Sequence, residues 1–257
     1  MKTISTTRSV LGMTSVDDEL FALLKRDKDQ VAVYSINDYQ LLRHLNLPGF
    51  QPHSDSDIAS SVRHKCLFMS DRDNKCVLGY GLARSATSKW STPGKPCGLS
   101  ITPSCNLLAT CRVKANLGKL VEMSADSGQC MREIALQATI VSPWHSVQLA
   151  TGQFVVCSLS GVSVVGSDGI VTRSYGDQQA SKVGHLNGPS HLAVDEDLES
   201  IFVTDHDSHR VVLSSTTLEF ERYVIEKLSR PHRLYFHQAT RRLFVGQDAA
   251  CVTVIQL

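Results

Sequence analysis

The stretch that decides the fold is residues 188–213, GPSHLAVDEDLESIFVTDHDSHRVVL. Pro189 opens it, and His191 to Val194 form a short apolar run that ends at the acidic turn Asp195-Glu196-Asp197. Ile201-Phe202-Val203-Thr204 form a second run, a polar turn extends from Asp205 to His209, and Arg210 to Leu213 begin a third. Short apolar runs separated by turn residues, with no helical spacing competing, predict consecutive antiparallel strands.

The same pattern returns along the chain at spacings of roughly 42–48 residues, the length of one four-stranded propeller blade. Downstream it begins near Pro231 (RPHRLYFHQATRRLFVGQDAACVTVI), and upstream near Pro143 (SPWHSVQLATGQFVVCSLSGVSVV) and Pro96 (KPCGLSITPSCNLLATCRV). Earlier copies begin near Ser60 and near Ser9, making six units. The expected fold is all-β, a six-bladed β-propeller of four-stranded antiparallel blades, with residues 1–257 forming one domain.

Pro-Ser-His-Leu-Ala-Val-Asp, followed by Ile-Phe-Val-Thr-Asp-His-Asp-Ser-His-Arg-Val within 189–211, resembles the NHL repeat of six-bladed propellers. Phe68-Met69-Ser70-Asp71-Arg72-Asp73-Asn74-Lys75 is similar to the latter half of that repeat, and the other blades are degenerate; blade four has only Leu159-Ser160-Gly161 at the turn. The resemblance is to the NHL domain of tripartite-motif proteins and to stand-alone animal NHL proteins. It implies a protein partner or single-stranded RNA held on one face, and substrate selection for ubiquitin ligation as in longer relatives. The chain has no RING or B-box cysteine/histidine spacing of its own.

Composition narrows the function classes. Lys and Arg number 26 against 25 Asp and Glu, a net charge of +1, so no strong generic attraction to nucleic acid or anionic membrane is expected. Residues 1–15 lack the apolar run of a signal peptide, and nothing reaches transmembrane length. Together with the absence of an N-x-S/T sequon, this makes a cytoplasmic, monomeric domain the expectation. The eight cysteines are scattered singly without a C-x-x-C pair, and they read as reduced packing residues rather than disulfides or zinc ligands. No cofactor is implied.

Blade one is assigned strands at 9–13, 20–24, 31–35 and 40–47, and a polar loop at 48–57 leads to blade two, whose outer strand includes Lys89 and Trp90. Blade six ends at Leu257 after its third strand. Because an open ring leaves unpaired backbone groups, residues 2–7 are the natural fourth strand, although the connection from there to Ser9 is short; the alternative is a three-stranded last blade.

Strand reversal sorts the loops. The turn between the second and third strands shares a face with the inter-blade connections, so 25–29, 71–75 and 205–209 lie on the connection face. The far face, with turns such as 195–197 and 167–169, reads as ordinary solvated turns. Two residues after each opening proline, a side chain approaches the central channel: Gly98, His145, His191 and Arg233, with Trp144 and His232 beside them. His145 and His191 are weak candidates for a metal pair, with Asp205, His206 and Asp207 as further ligands. The alternative is that both histidines fill the repeat's glycine position and bond to backbone. Asp71 and Asp205 are expected to brace their turns.

A calcium-dependent hydrolase would want several carboxylates at the inner-strand starts, and this chain puts Gly, His, His and Arg there. No phosphate loop, nucleophile elbow or H-E-x-x-H is present. The reading is therefore a non-enzymatic protein-binding platform contacting its partner through Trp144, His145, His191, His209, Arg210, His232, Arg233 and Lys75. RNA binding is the alternative, drawing on a basic excess over 53–142 that includes Lys75, Lys89, Lys95 and Arg112, with Trp90 as the stacking aromatic of the patch. A metal-dependent propeller hydrolase or lyase comes third.

Overall fold

The computed structural model describes residues 1–25, 31–50, 52–114, 117–176 and 185–257. The first strand, β1 (Lys2–Ser5), is set aside by the chain before the blades begin. Blade one is β2 (Val10–Val16), β3 (Glu19–Leu24), β4 (Val31–Ser35) and β5 (Leu41–Leu45), and blade two is β6 (Ile58–Ser61), β7 (Cys66–Asp71), β8 (Cys76–Gly81) and β9 (Ala86–Ser91). Blade three is β10 (Lys95–Ile101), β11 (Leu107–Lys114), β12 (Leu117–Met123) and β13 (Cys130–Ala135). Blade four is β14 (Pro143–Gln148), β15 (Phe154–Ser158), β16 (Gly161–Val165) and β17 (Val171–Tyr175). Blade five is β18 (Pro189–Asp195), β19 (Ser200–Asp205), β20 (Arg210–Ser215) and β21 (Phe220–Ile225). Blade six holds β22 (Pro231–His237), β23 (Arg242–Gln247) and β24 (Cys251–Gln256), and β1 returns as its outer strand.

β1 closes the ring by pairing antiparallel with β24, Lys2 opposite Val254 through Ser5 opposite Cys251. The short link from Ser5 to Val10 is no obstacle, because a propeller always passes from the outer strand of one blade to the inner strand of the next. Blades two and three are joined by only Thr92, Pro93 and Gly94.

The core lies between blades, and strand periodicity builds it. Along β3, Leu20, Ala22 and Leu24 pack with Ile4, Val10, Phe244 and Val252 toward blade six. Phe21 and Leu23, on the opposite face of the same strand, pack with Ile58, Leu67 and Met69 toward blade two. Alternate residues of one strand thus fill two different interfaces. Phe21, Phe68, Phe154, Phe202 and Phe244 sit on second strands and are at most 1% exposed, each worth about 1.5–3 kcal/mol of burial.

The loops fall on the two faces as strand reversal requires. On the connection face, the Asp207 amide donates to Asn187 O at 3.0 Å and the Leu228 amide to His209 O at 2.9 Å, tying the turn after β19 to the flanking inter-blade segments. Of the turn expected at 25–29, residues 26–29 lie outside the described residues. All eight cysteines are free thiols, with Cys76, Cys97, Cys111 and Cys157 buried and Cys130 exposed. No helix among the described residues is long and apolar enough to cross a membrane.

Candidate functional site

Five inner strands carry a register irregularity where they enter the channel, the sixth, β6, is preceded by the charged Asp57, and side chains placed there converge. β14 is bulged between Pro143 and His145, β18 between Pro189 and Leu192, and β22 between Pro231 and Arg233. The bulges turn His145, His191 and Arg233 inward. Asp57, immediately before β6, is the blade-two member of this ring, and it was not among the sequence candidates.

Asp57 is the centre of the node. Its Oδ2 accepts the Leu99 amide of blade three at 2.9 Å and lies 3.3 Å from His191 Nε2 of blade five and 3.7 Å from His145 Nε2 of blade four. Its Oδ1 accepts the Ile58 amide at 2.9 Å. Burial opposes ionisation of Asp57, but the attraction and hydrogen bond of His191, with His145 and Arg233 behind, hold its carboxyl at about 2. Two glycines make room. A Cβ on Gly12 would fall 2.5 Å from Asp57 Oδ1, and one on Gly98 would fall 2.5 Å from Trp144 O and 2.7 Å from His145 Cδ2.

The histidines are fixed by their partners. The Leu234 amide donates to His191 Nδ1 at 3.4 Å, which leaves the ring proton on Nε2, facing Asp57. His145 Nε2–H donates to Leu99 O at 3.1 Å, and its Nδ1 is buried without a partner. Burial, then His191, pushes the His145 imidazole down to about 3, so it is neutral. The two rings stack with centroids 3.7 Å apart at 25°.

Asp57, His145 and His191 offer donor atoms within 4.8 Å of one another, the spacing of a metal site. Their geometry does not suit one. Imidazole lone pairs lie in the ring plane, and two face-to-face rings cannot aim them at one tetrahedral ion. Both Nε2 atoms also carry protons directed at oxygen. Asp205, His206 and Asp207, expected as further ligands, stand apart from the pair. Asp205 accepts the Asn187 amide at 2.6 Å and Arg210 Nε at 2.8 Å, while His206 pairs with Asp207 at 2.7 Å.

Arg233 completes the node from blade six. Its guanidinium donates to Leu11 O of blade one, to His232 O at 2.8 Å and to Ser56 O at 3.3 Å. His232 Nε2 donates to Val10 O at 2.7 Å, and burial beside the Arg233 charge pushes its imidazole down to about 4. Below the node, a cavity of about 400 Å³ runs from His145 and His191 past Leu99, Leu192 and Leu234 to Val62, Glu196 and Gln238 at the far face. That face therefore carries the mouth of the channel rather than solvated turns alone.

The eight residues expected to meet a partner divide in two. His145, His191, His232 and Arg233 are at most 9% exposed, their donors committed to neighbouring blades. Lys75 and His209 are exposed and end equivalent turns, both in the left-handed region at φ 49° and 59°. Arg210 is tied to Asp205, His185 O and the face of Tyr223. Trp144 is half-buried under Arg112, whose guanidinium carbon lies 3.6 Å from the indole centroid. Of the two turn aspartates, Asp71 braces its own turn by accepting the Asn74 amide at 3.2 Å and side chain at 2.8 Å. Asp205 instead ties Arg210 to the inter-blade segment.

Six closed four-stranded blades about a sealed polar node define a six-bladed β-propeller. Solved structures with this fold include virginiamycin B lyase from Staphylococcus aureus, in a catalytically inactive form with quinupristin (12% identity, TM-score 0.67, 95% of this chain and 80% of that one). Others are Kuenenia stuttgartiensis hydrazine synthase (12%, 0.69, 99% and 97%) and the β-propeller domain of Cps50 (Swd1) from Myceliophteria thermophila (11%, 0.63, 96% and 83%). At such identities the likeness is one of fold. No family profile matches the chain, and no curated protein matches it in sequence.

Proposed function

We propose that the chain acts as a single NHL-type propeller domain over residues 1–257, a non-enzymatic platform that holds a protein partner on its connection face. The observation that carries this reading is the commitment of the channel node. Asp57, His191, His232 and Arg233 direct their polar atoms at neighbouring blades, so they hold the disc together beneath the loops of the connection face. Rigid scaffolds with variable loops suit recognition. The aromatic surface that a single-stranded RNA reader needs is engaged internally: Trp90 packs on Phe68 at 5.3 Å, and Trp144 is covered by Arg112.

Site-specific photo-crosslinking tests the proposal. A crosslinker placed at Lys75 or His209 on the connection face should capture one discrete protein from cell extract, and the same probe at Val62 or Leu198 on the far face should not. Capture only from the far face, or capture of RNA, overturns it.

A further inference from the structure

The cavity of about 400 Å³ beneath the channel node ends inward at His145 and His191 and opens on the far face beside Val62, Glu196 and Gln238. Its volume lies toward the lower end of the range for small-molecule sites. The inner strands give it an apolar wall that includes Leu99, Val147, Leu192, Leu234 and Phe236.

Hydroxyls share that wall, and their hydrogen bonds fix what they can offer. Ser60 Oγ donates to Ser15 O at 2.7 Å, and Ser100 Oγ donates to Ser146 O at 2.8 Å. With the Ser60 proton so committed, the 2.6 Å contact between Thr14 Oγ1 and Ser60 Oγ is a donation from Thr14. Ser60 and Ser100 are half-buried and line the cavity, so each presents an acceptor oxygen and no proton.

Charge at the mouth points the same way. Glu196 is the one acidic side chain among the described lining residues, and no lysine or arginine joins it there. Around it, the turns after the inner strands and the end of β18 carry Asp17, Asp18, Asp195, Asp197 and Glu199 against Arg63, Lys65 and Arg241. Two of those three cations are already engaged, Lys65 with Asp17 and Arg241 with Asp195 and Asp197. Such a mouth attracts a cation and repels an anion.

We propose that the cavity is a binding site for a small primary ammonium ion with an apolar body, the head held by Glu196 at the mouth and the body lying against Leu99, Leu192 and Phe236. The site is on the face opposite the partner surface and does not depend on the platform reading. A lysine side chain shares this chemistry, but its slender stem would leave much of the cavity empty, whereas a free amine with a wider body fills it.

The test is an amide NMR titration of the full chain at neutral pH with four probes: phenethylammonium, phenethyl alcohol, hydrocinnamate and acetyl-lysine amide. Phenethylammonium should bind saturably, shift the amides of Leu99, Ser100, Val194 and Glu196, and bind at least fivefold more tightly than the alcohol, which keeps the body without the charge. Hydrocinnamate, which reverses the charge, should not bind. Glu196→Gln should weaken phenethylammonium at least fivefold and leave the alcohol unaltered. Glu221→Gln makes the same change of charge at an exposed position on β21 and should change nothing. Glu196 is itself exposed in a turn, and circular dichroism melts of both variants separate loss of binding from loss of fold.

The site is overturned if phenethylammonium shifts none of these amides, if hydrocinnamate binds as tightly, or if Glu221→Gln weakens binding as much as Glu196→Gln. Tighter binding of acetyl-lysine amide than of phenethylammonium overturns it in favour of a protein lysine. None of these results bears on the connection-face crosslinks, so the two readings fail separately.

Discussion

His191 of blade five points its Nε2 at Asp57 Oδ2 of blade two, 3.3 Å away across the channel and 134 residues distant in the chain. Propeller blades ordinarily meet only their neighbours in the ring. Here a buried anion joins blades two, three and five directly, with blade four at 3.7 Å and Arg233 of blade six binding blades one and two. Every blade is thereby tied to the centre as well as to its neighbours.

Removing the anion should be costly. Asp57→Ala leaves the Arg233 charge buried without its counter-charge and the Leu99 amide without an acceptor. The expected loss is about 3–5 kcal/mol of unfolding free energy, the usual result of breaking a buried charge network from one side. Equilibrium urea unfolding reads it directly, and a loss under about 1 kcal/mol would mean that the node is not structural.

Stability should also fall on mild acidification. The folded-state values of His145, about 3, and His232, about 4, lie below the ordinary 6.5, so the unfolded chain binds the extra protons. Their contribution is complete above pH 6.5 and is lost as pH falls from there toward 3–4. Near pH 5 the slope approaches two protons, about 3 kcal/mol per pH unit. Asp57, with its folded value depressed to about 2 from 3.8, adds a separate loss only below pH 3.8. Urea midpoints at pH 7, 6 and 5 check the histidine window. His232→Gln, whose amide can still donate to Val10 O, should remove one proton from the slope.

The stacked histidines make a prediction about metals. Because rings 3.7 Å apart at 25° direct their lone pairs side by side, zinc should find no site there. Purified protein should carry well under one equivalent of zinc by elemental analysis, and EDTA should leave the melting temperature unchanged. A stoichiometric ion lost together with stability would show that the rings rearrange to bind it.

Most of the ring could be read from turn punctuation, because each blade repeats one simple alternation and prolines mark where the inner strands of blades three to six begin. The site was half legible for the same reason. His145, His191 and Arg233 each follow an opening proline by two residues, whereas Asp57 follows Asp55-Ser56 and has no such marker. A different register would have found it. Asp57 precedes Phe68 by eleven residues, as His191 precedes Phe202 and Arg233 precedes Phe244, and the pairs Ile58–Met69, Leu192–Val203 and Leu234–Val245 confirm the equivalence. Burial was the part not written in the pattern. A histidine at a strand start reads alike whether it meets a partner or a carbonyl of the next blade, and only the closed ring decides between them.

Ring closure itself gives the last prediction. β1 contributes one strand and one fully packed side chain, Ile4 at 5% exposure, to the interface among Val10, Val252 and Val254. Deleting residues 1–5 would open the edge of β24 from Cys251 to Val254 and uncover this apolar seam. Such an edge templates pairing with other chains. The truncated protein should melt at a lower temperature and scatter light on heating where the full chain does not. A synthetic peptide of residues 1–8 should restore both properties in trans by adding itself as the missing strand. Rescue by that peptide, but not by one with Ile4→Asp, would assign the effect to strand pairing with a buried Ile4; an unchanged melting temperature after truncation would show that three strands suffice for blade six.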